Sequence, residues 1–133
     1  MILVDTTVWI DHLNDVGTPE VIWLRDTIVH RRALLLVGDL ILCEVLQGLS
    51  SEREATQVEQ ALRRLQVVPL VSPDIAIRSA ANYRALRRRG ITVRKTIDML
   101  IGTWCIEHQH ALLHTDRDFD HLERHLGLNV IHP

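Results

Sequence analysis

Four carboxylates occupy positions at which the surrounding sequence pattern predicts a strand end or a buried helix face. Asp5 ends the apolar run 2–4, and Asp116 follows the predicted strand 111–114. Glu44 and Asp98 each interrupt a helical row whose other members are apolar or small, at the i, i+3, i+4, i+7 spacing of one helix face. Because open parallel sheets bind ligands beyond the carboxyl ends of their strands, we expect these four side chains to cluster there.

The chemistry of such a cluster depends on what neutralises it, because burying an unpaired carboxylate costs several kcal/mol. Arg94 and Lys95 are local partners for Asp98, but no cation lies close in sequence to Glu44. Clustered oxygen ligands without cysteine or a histidine pair suit Mg²⁺ or Mn²⁺, and Asp118 is a fifth candidate ligand. The leading interpretation is metal-assisted hydrolysis of a phosphodiester.

Each acidic residue also has a purely structural interpretation. Asp5 can cap the first helix, and Asp116 or Asp118 can cap the last one. Glu44 and Asp98 can lie on the flanks of their helices if the apolar faces are rotated by roughly 20 to 40° from the predicted direction. The occurrence of all four positions in one chain favours a common site.

The composition indicates the class of protein that holds this site. Of 133 residues, 47% are hydrophobic and 24% charged, which predicts one compact α/β domain over residues 1–133. The 15 basic and 17 acidic residues give a net charge of -2, which argues against coating of polyanions by bulk charge. The aromatic residues are only three Trp, one Tyr and one Phe, so contact with nucleic acid is expected mainly through phosphates.

The hydrophobic periodicity predicts strands that alternate with helices. Predicted strands cover residues 2–4, 34–37, 67–71, 111–114 and 128–131. Predicted helices cover about 8–13, 19–32, 40–49, 52–65, 73–90, 96–110 and 118–125, with N-caps at Thr18, Asp39 and Ser51. Pro69 restricts its strand to a sheet edge or a short piece. Uniformly apolar strands between helices indicate a three-layer α/β/α sandwich around a mostly parallel sheet.

Other features bear on location and on the choice of metal. The longest apolar stretch, residues 33–37, is far shorter than a membrane span, and the first residues lack the charge pattern of a secretory signal. Cys43 and Cys105 are predicted to be buried, reduced thiols, as in a cytoplasmic protein. His121 and His125 are four residues apart, but Leu122 breaks an HExxH motif, so zinc is not favoured.

Four segments taken together resemble the PIN-domain ribonucleases and, more narrowly, the VapC toxins of type II toxin–antitoxin pairs. They are ILVDTTVWID at 2–11, LCEVLQG at 42–48, TIDMLIGT at 96–103 and HTDRDF at 114–119. The resemblance covers the whole chain in order, and the four segments are specific only in combination. It implies a three-layer α/β/α domain that holds Mg²⁺ or Mn²⁺ and cuts RNA endonucleolytically.

The resemblance also implies roles for individual residues. Asp5 and Asp98 correspond to direct metal ligands, Glu44 and Asp116 complete the cluster through water, and Asp118 is a further candidate. The same comparison implies supporting hydroxyls, which position a carboxylate or a water molecule, at Thr7 and Thr115. As partners it implies an RNA substrate, a second copy in a homodimer, and a small antitoxin protein whose basic C-terminal segment occupies the acidic groove.

Basic residues near the cluster are candidates for contact with the RNA backbone. They are Arg87, Arg88, Arg89, Arg94, Lys95 and Arg117. The alternative for the arginine run is a solvated helix end, where cations complement the negative end of the helix dipole.

Two other functions compete with the nuclease interpretation. A metal-dependent phosphatase or phosphoryl-transfer domain would use a similar pocket but would ordinarily have a second Asp two residues after Asp5, where Thr7 stands. A catalytically silent protein-interaction domain of the same fold would not need the intact acidic set. A nucleotide-binding module is disfavoured because the six glycines are scattered rather than gathered in a phosphate loop.

Overall fold

Four short strands form one parallel sheet at the centre of the computed structural model, which describes residues 1–133. The strands are β1 Ile2–Val4, β2 Leu35–Gly38, β3 Gln66–Val68 and β4 Ala111–Leu113, in the order β3-β2-β1-β4. Leu3 of β1 pairs with Leu36 on one side and with Leu112 on the other. These central strands are apolar throughout because both faces of the sheet are covered.

Seven helices surround the sheet. They are α1 Thr6–Leu13, α2 Pro19–His30, α3 Asp39–Gln47, α4 Glu52–Leu62, α5 Pro73–Arg88, α6 Thr96–His108 and α7 Asp118–Leu126. The steps β1 to β2 to β3 run in one direction across the sheet and the step β3 to β4 runs back, so right-handed crossovers place α1–α4 on one face and α5–α6 on the other. The predicted three-layer α/β/α sandwich is confirmed, and every strand pair is parallel.

Local sequence signals set most helix starts. The hydroxyls of Thr18 and Ser51 accept the N–H groups of Val21 and Glu54, as predicted for N-caps. The predicted cap at Asp39 is wrong, because Gly38 is the N-cap and Asp39 is the first helical residue. Five helices, α2 to α6, end two or three residues earlier than predicted. In α2 and α6 the next residue adopts a left-handed conformation, which stops the helix.

Three further predictions need correction. Residues 128–131 form no strand, and Val130 makes only one isolated bridge to Leu112 of β4. Leu34 precedes β2 and is 68% exposed. Cys43 is exposed rather than buried, whereas Cys105 is buried as predicted. The prediction for Pro69 is confirmed, since β3 is a short edge strand that ends just before it.

The packing of α6 on α7 has a direct consequence for the site. A Cβ at Gly102 would overlap a terminal methyl group of Leu122, so a side chain here would displace Leu122 from the contact between the two helices. Asp98 precedes Gly102 by four residues and Asp118 precedes Leu122 by four, which places each carboxylate on the face that makes the contact. The same close packing that completes the core therefore brings Asp98 towards Asp118.

A crevice for a ligand is expected at the carboxyl ends of β1 and β4. The strand order reverses between these two neighbours, which is where open α/β sheets bind ligands. The N–H of Asp5 bonds to the carbonyl of Leu113 at 2.9 Å and holds the two strand ends together. No helix combines the length and apolar character that crossing a bilayer requires.

Candidate active site

Asp5 lies at the end of β1 and is only 3% exposed. It is also the N-cap of α1, because its Oδ2 accepts the N–H of Thr7 at 3.2 Å and the hydroxyl of Thr7 at 2.7 Å. Burial raises the pKa of Asp5 to about 6, the bonds from Thr7 act against that rise, and the charge of Glu44 adds to it. The capping role predicted as an alternative is thus confirmed, and the bonds from Thr7 fix the orientation of the carboxylate at the end of β1.

Asp98 lies in the first turn of α6 and is 5% exposed. Its Oδ2 is buried without any hydrogen-bond partner. Burial first, and then the charges of Asp5 and Asp116, raise the pKa of Asp98 to about 7, against a lowering effect of Lys95. A buried carboxylate oxygen without a donor, close to further carboxylates, is an arrangement that a bound cation would stabilise.

Asp116 and Asp118 join Asp98 from the loop after β4 and the start of α7. One carboxylate oxygen from each of the three residues lies within 4.8 Å of the others. Oδ1 of Asp116 accepts the N–H of Asp118 at 2.9 Å, so Asp116 satisfies a free N–H at the start of α7. Asp116 is not itself the N-cap of α7, which is Arg117, and its second oxygen is left without a bond inside the protein.

Glu44 reaches the cluster from α3 on the other side of the sheet ends. Its Oε1 accepts the hydroxyl of Thr6 at 2.7 Å, and its side chain is half-buried. The charge of Glu44 raises the pKa of both Asp5 and Asp98, which places it close to them. Its Oε2 has no bond in the protein, so this oxygen can serve a ligand.

The five carboxylates share one feature of charge balance. None of them forms an ion pair with a lysine, arginine or histidine of the chain. The donor set consists of hard oxygen atoms, which suits a divalent cation of the Mg²⁺ type. The residues present therefore fit a divalent metal ion, with the unpartnered Oδ2 of Asp98 as the clearest sign.

A sequence model described as the PIN domain matches residues 2–125. The chain belongs to the PIN-domain family. This PIN domain is 34% identical over 133 residues to ribonuclease VapC11 of Mycobacterium tuberculosis and to a VapC ribonuclease of Mycobacterium bovis, with 98% of this chain and 97% of each relative covered.

Solved structures show the same fold. VapBC2 from Rickettsia felis bound to a DNA fragment from its promoter matches with a TM-score of 0.74 at 15% identity, covering 98% of each chain. FitAcB from Neisseria gonorrhoeae matches with a TM-score of 0.74 at 20% identity, covering 100% of this chain and 98% of that one. At such identities the comparison establishes the PIN architecture.

Two residues of the PIN domain support the cluster but were not singled out in the sequence. Thr6 holds Glu44 through its hydroxyl, but no feature of the sequence pointed to Thr6. His114 is 8% exposed, its Nδ1 accepts the N–H of Asp116 at 3.1 Å, and its ring packs 4.9 Å from that of Phe119. The position of His114 could have indicated its role, because it is a polar residue directly after an apolar strand.

The remaining predicted residues fall in different places. Thr115 contacts Thr7 through its backbone N–H at 3.3 Å, while its side chain is exposed. Arg117 is exposed and, with Thr115, lines a small cavity of about 180 Å³. Arg87 and Arg94 line a second cavity between α5 and α6, whereas Arg88, Arg89 and Lys95 do not line it.

Proposed function

We propose that this PIN domain is a metal-dependent endoribonuclease that hydrolyses RNA phosphodiester bonds and acts as the toxin of a toxin–antitoxin pair. The observation that carries the proposal is the cluster of Asp5, Glu44, Asp98 and Asp116 around the unpartnered Oδ2 of Asp98. The names of the relatives that are 34% identical over nearly the full length support ribonuclease activity rather than another phosphoryl chemistry.

Mg²⁺ or Mn²⁺ is the proposed cofactor. We assign Asp5 and Asp98 as its direct ligands and Glu44, Asp116 and Asp118 as residues that complete the cluster. When bound, the ion activates water for attack and stabilises the charge that develops on the phosphoryl group. We propose that all five residues are needed, because together they hold the cation, and the cation offsets the repulsion between their charges and an anionic substrate.

The protein's own hydrogen bonds orient this cluster. Thr7 fixes Oδ2 of Asp5, Thr6 fixes Oε1 of Glu44, and the N–H of Asp118 fixes Oδ1 of Asp116. Each bond engages one oxygen and leaves the other without a hydrogen bond inside the protein. Ligand carboxylates that are held in this way lose little conformational freedom on binding, as is usual for residues that support a metal site.

A panel of labelled RNAs tests the function. We expect cleavage in Mg²⁺ or Mn²⁺ and none in EDTA, with no turnover of a simple phosphate monoester such as p-nitrophenyl phosphate. Turnover of the monoester without cleavage of RNA would favour the phosphatase alternative. Binding of a partner protein without any hydrolysis would favour a catalytically silent domain, and cleavage that persists in EDTA would contradict the metal-dependent mechanism.

The proposed partners are a cognate small antitoxin and a second copy of the chain, with residues 1–133 acting as one domain. Similar solved structures include a toxin–antitoxin complex from Klebsiella pneumoniae, which supports an antitoxin partner. Co-expression with the small reading frame next to the gene is expected to neutralise the toxin, and the free protein is expected to have the mass of a dimer at micromolar concentration. A monomer that no neighbouring protein neutralises would contradict the assignment of partners.

A further inference from the structure

The face between α5 and α6 carries an open cavity of about 560 Å³ that is separate from the acidic cluster. Its volume lies within the range of about 300 to 1,000 Å³ that is usual for small-ligand sites. Three arginines, Arg84, Arg87 and Arg94, line it together with apolar residues that include Val71 and Leu100. This combination suits a ligand that carries a negative charge and a flat apolar surface.

The three arginines are free of carboxylate partners. None of them forms an ion pair, whereas four other arginines of the chain do. The guanidinium of Arg87 lies over the ring of Tyr83, 5.7 Å from its centre, and Tyr83 also lines the cavity. A guanidinium that rests on an aromatic ring keeps its N–H groups available for an anion.

The cavity adjoins the acidic cluster along α6. Thr96, Met99 and Leu100 contribute to its wall, and Asp98 lies in the same turn of this helix. Met99 follows Asp98 directly in the chain, and consecutive Cα atoms are about 3.8 Å apart, so the cavity and Asp98 lie on different faces of the same helical turn. An RNA chain with one phosphate at Asp98 would pass around the first turn of α6 to reach the cavity.

We propose that this cavity is a subsite for the RNA nucleotide next to the cleaved phosphodiester. The three arginines bind its phosphate, and its base lies against Tyr83 and Leu100. The inference rests on the proposed ribonuclease function and assigns a part of the substrate that the acidic cluster does not contact. Because an unpaired base stacks on an aromatic ring or a guanidinium plane, the subsite selects single-stranded RNA.

The proposed subsite involves only one of the three consecutive arginines at 87–89. Arg87 lines the cavity, and Arg88 and Arg89 do not. Arg89 lies instead near His125 of α7. Desolvation lowers the pKa of His125, and the charge of Arg89 lowers it further. If these arginines acted through charge alone, Arg87 and Arg89 would contribute equally to RNA affinity. The subsite predicts that Arg87 contributes more.

The test measures binding of a short, fluorescein-labelled, single-stranded RNA of mixed sequence by anisotropy. The Asp98→Asn background in Mg²⁺ keeps the RNA intact. Arg87→Ala is expected to weaken binding about tenfold and to lower the slope of log affinity against log salt by about 1. Tyr83→Ala is expected to weaken binding about tenfold while Tyr83→Phe retains affinity, because the ring does the stacking.

Matched variants control for the loss of one charge. Arg53 on α4 is exposed and has no ion pair, so Arg53→Ala is expected to bind as the background does. Arg89→Ala is expected to lose less affinity than Arg87→Ala. Thermal melts check folding, and Arg87→Gln, which keeps most of the side chain, repeats the test if alanine lowers the melting temperature.

The outcomes separate the subsite from the proposed function. Equal affinity and salt slope in Arg87→Ala and Arg53→Ala overturn the subsite even if the parent cleaves RNA. Loss of affinity in Arg87→Ala, when the parent cleaves no RNA in Mg²⁺, overturns the nuclease function and leaves the RNA-binding cavity standing. A change from dimer to monomer in the cavity variants, measured by light scattering, assigns the face to a contact between copies and overturns the subsite.

Discussion

The hydroxyl of Thr7 donates a hydrogen bond to Oδ2 of Asp5 at 2.7 Å. The same hydroxyl accepts the N–H of Thr115 at 3.3 Å, so one side chain in the first turn of α1 connects the loops that follow β1 and β4. These are the two strands between which the sheet order reverses. Thr7 therefore fixes the carboxylate of Asp5 at the point where the fold opens its crevice.

Replacing Thr7 by valine keeps the shape of the side chain and removes both hydrogen bonds. We expect Thr7→Val to lower kcat/KM for RNA cleavage by about 10- to 100-fold, as is usual for residues that orient metal ligands, and Thr7→Ser to retain activity. Because the Thr7 bonds lower the pKa of Asp5, the acid limb of the pH–rate profile should move to higher pH in Thr7→Val. An unchanged profile would mean that Thr7 only stabilises the fold.

The carboxylates themselves are expected to be indispensable for cleavage. Asp5→Asn, Glu44→Gln and Asp98→Asn should each abolish Mg²⁺-dependent hydrolysis of labelled RNA, since each removes a charge that the cation needs. Glu59→Gln is the matched control, because Glu59 is a surface residue that pairs only with Arg63. Full activity in any one of the three site variants would remove that residue from the metal site.

The stability of the metal-free protein provides an independent measurement. Asp98 is buried beside other carboxylates, and like charges at close range destabilise the folded state. We expect Asp98→Asn to melt at a higher temperature than the parent in EDTA, and the parent to gain more from Mg²⁺, because the ion binds only the folded form.

A structural role for Asp98 predicts the opposite order of melting temperatures. If the charge of Asp98 instead helped to hold the fold, for example through its attraction to Lys95, removing that charge would lower the stability of the metal-free protein. An Asp98→Asn variant that melts below the parent in EDTA, together with no Mg²⁺ shift in the parent, would therefore contradict a metal site. Glu59→Gln should change the free energy of unfolding by no more than about 0.5 kcal/mol, as is usual for surface positions.

The pH dependence of stability follows from the raised pKa values. Burial raises the pKa of Asp98 to about 7 and that of Asp5 to about 6, from the ordinary aspartate value of 3.8, so the folded state holds these protons more tightly than the unfolded one. That stabilisation is present at low pH and is lost as the pH rises through the folded values. His114 has the opposite sign, since burial lowers its pKa.

The difference between the parent and Asp98→Asn isolates the contribution of Asp98. The free energy of unfolding of the parent, relative to that of the variant, should fall as the pH rises from 3.8 to about 7 and then stay constant. Denaturant titrations of both proteins in EDTA, at several pH values, measure this difference. A difference that does not vary with pH would show that Asp98 keeps an ordinary pKa.

Local pattern was sufficient for the strand-end carboxylates and the layer architecture. The apolar runs that become β1 and β4 place Asp5 and Asp116 at their ends by counting alone, and strands without polar alternation indicate a sheet covered on both faces. The spacing of the apolar residues around Glu44 and Asp98 predicted that both side chains point into the protein. The segment 128–131 was mispredicted because the same pattern of apolar residues also suits an extended tail that makes a single bridge.

Sequence pattern was enough to predict which residues lie at strand ends and which helix faces turn inward. It did not show that α6 packs closely on α7 through Gly102 and Leu122, so that Asp98 meets Asp118. The tertiary structure also decided that Arg87, rather than Arg89, lines a cavity. The physical reason is that periodicity fixes the direction of a side chain relative to its own helix, whereas its neighbours depend on the contact that two separate helices make when they bury their surfaces together.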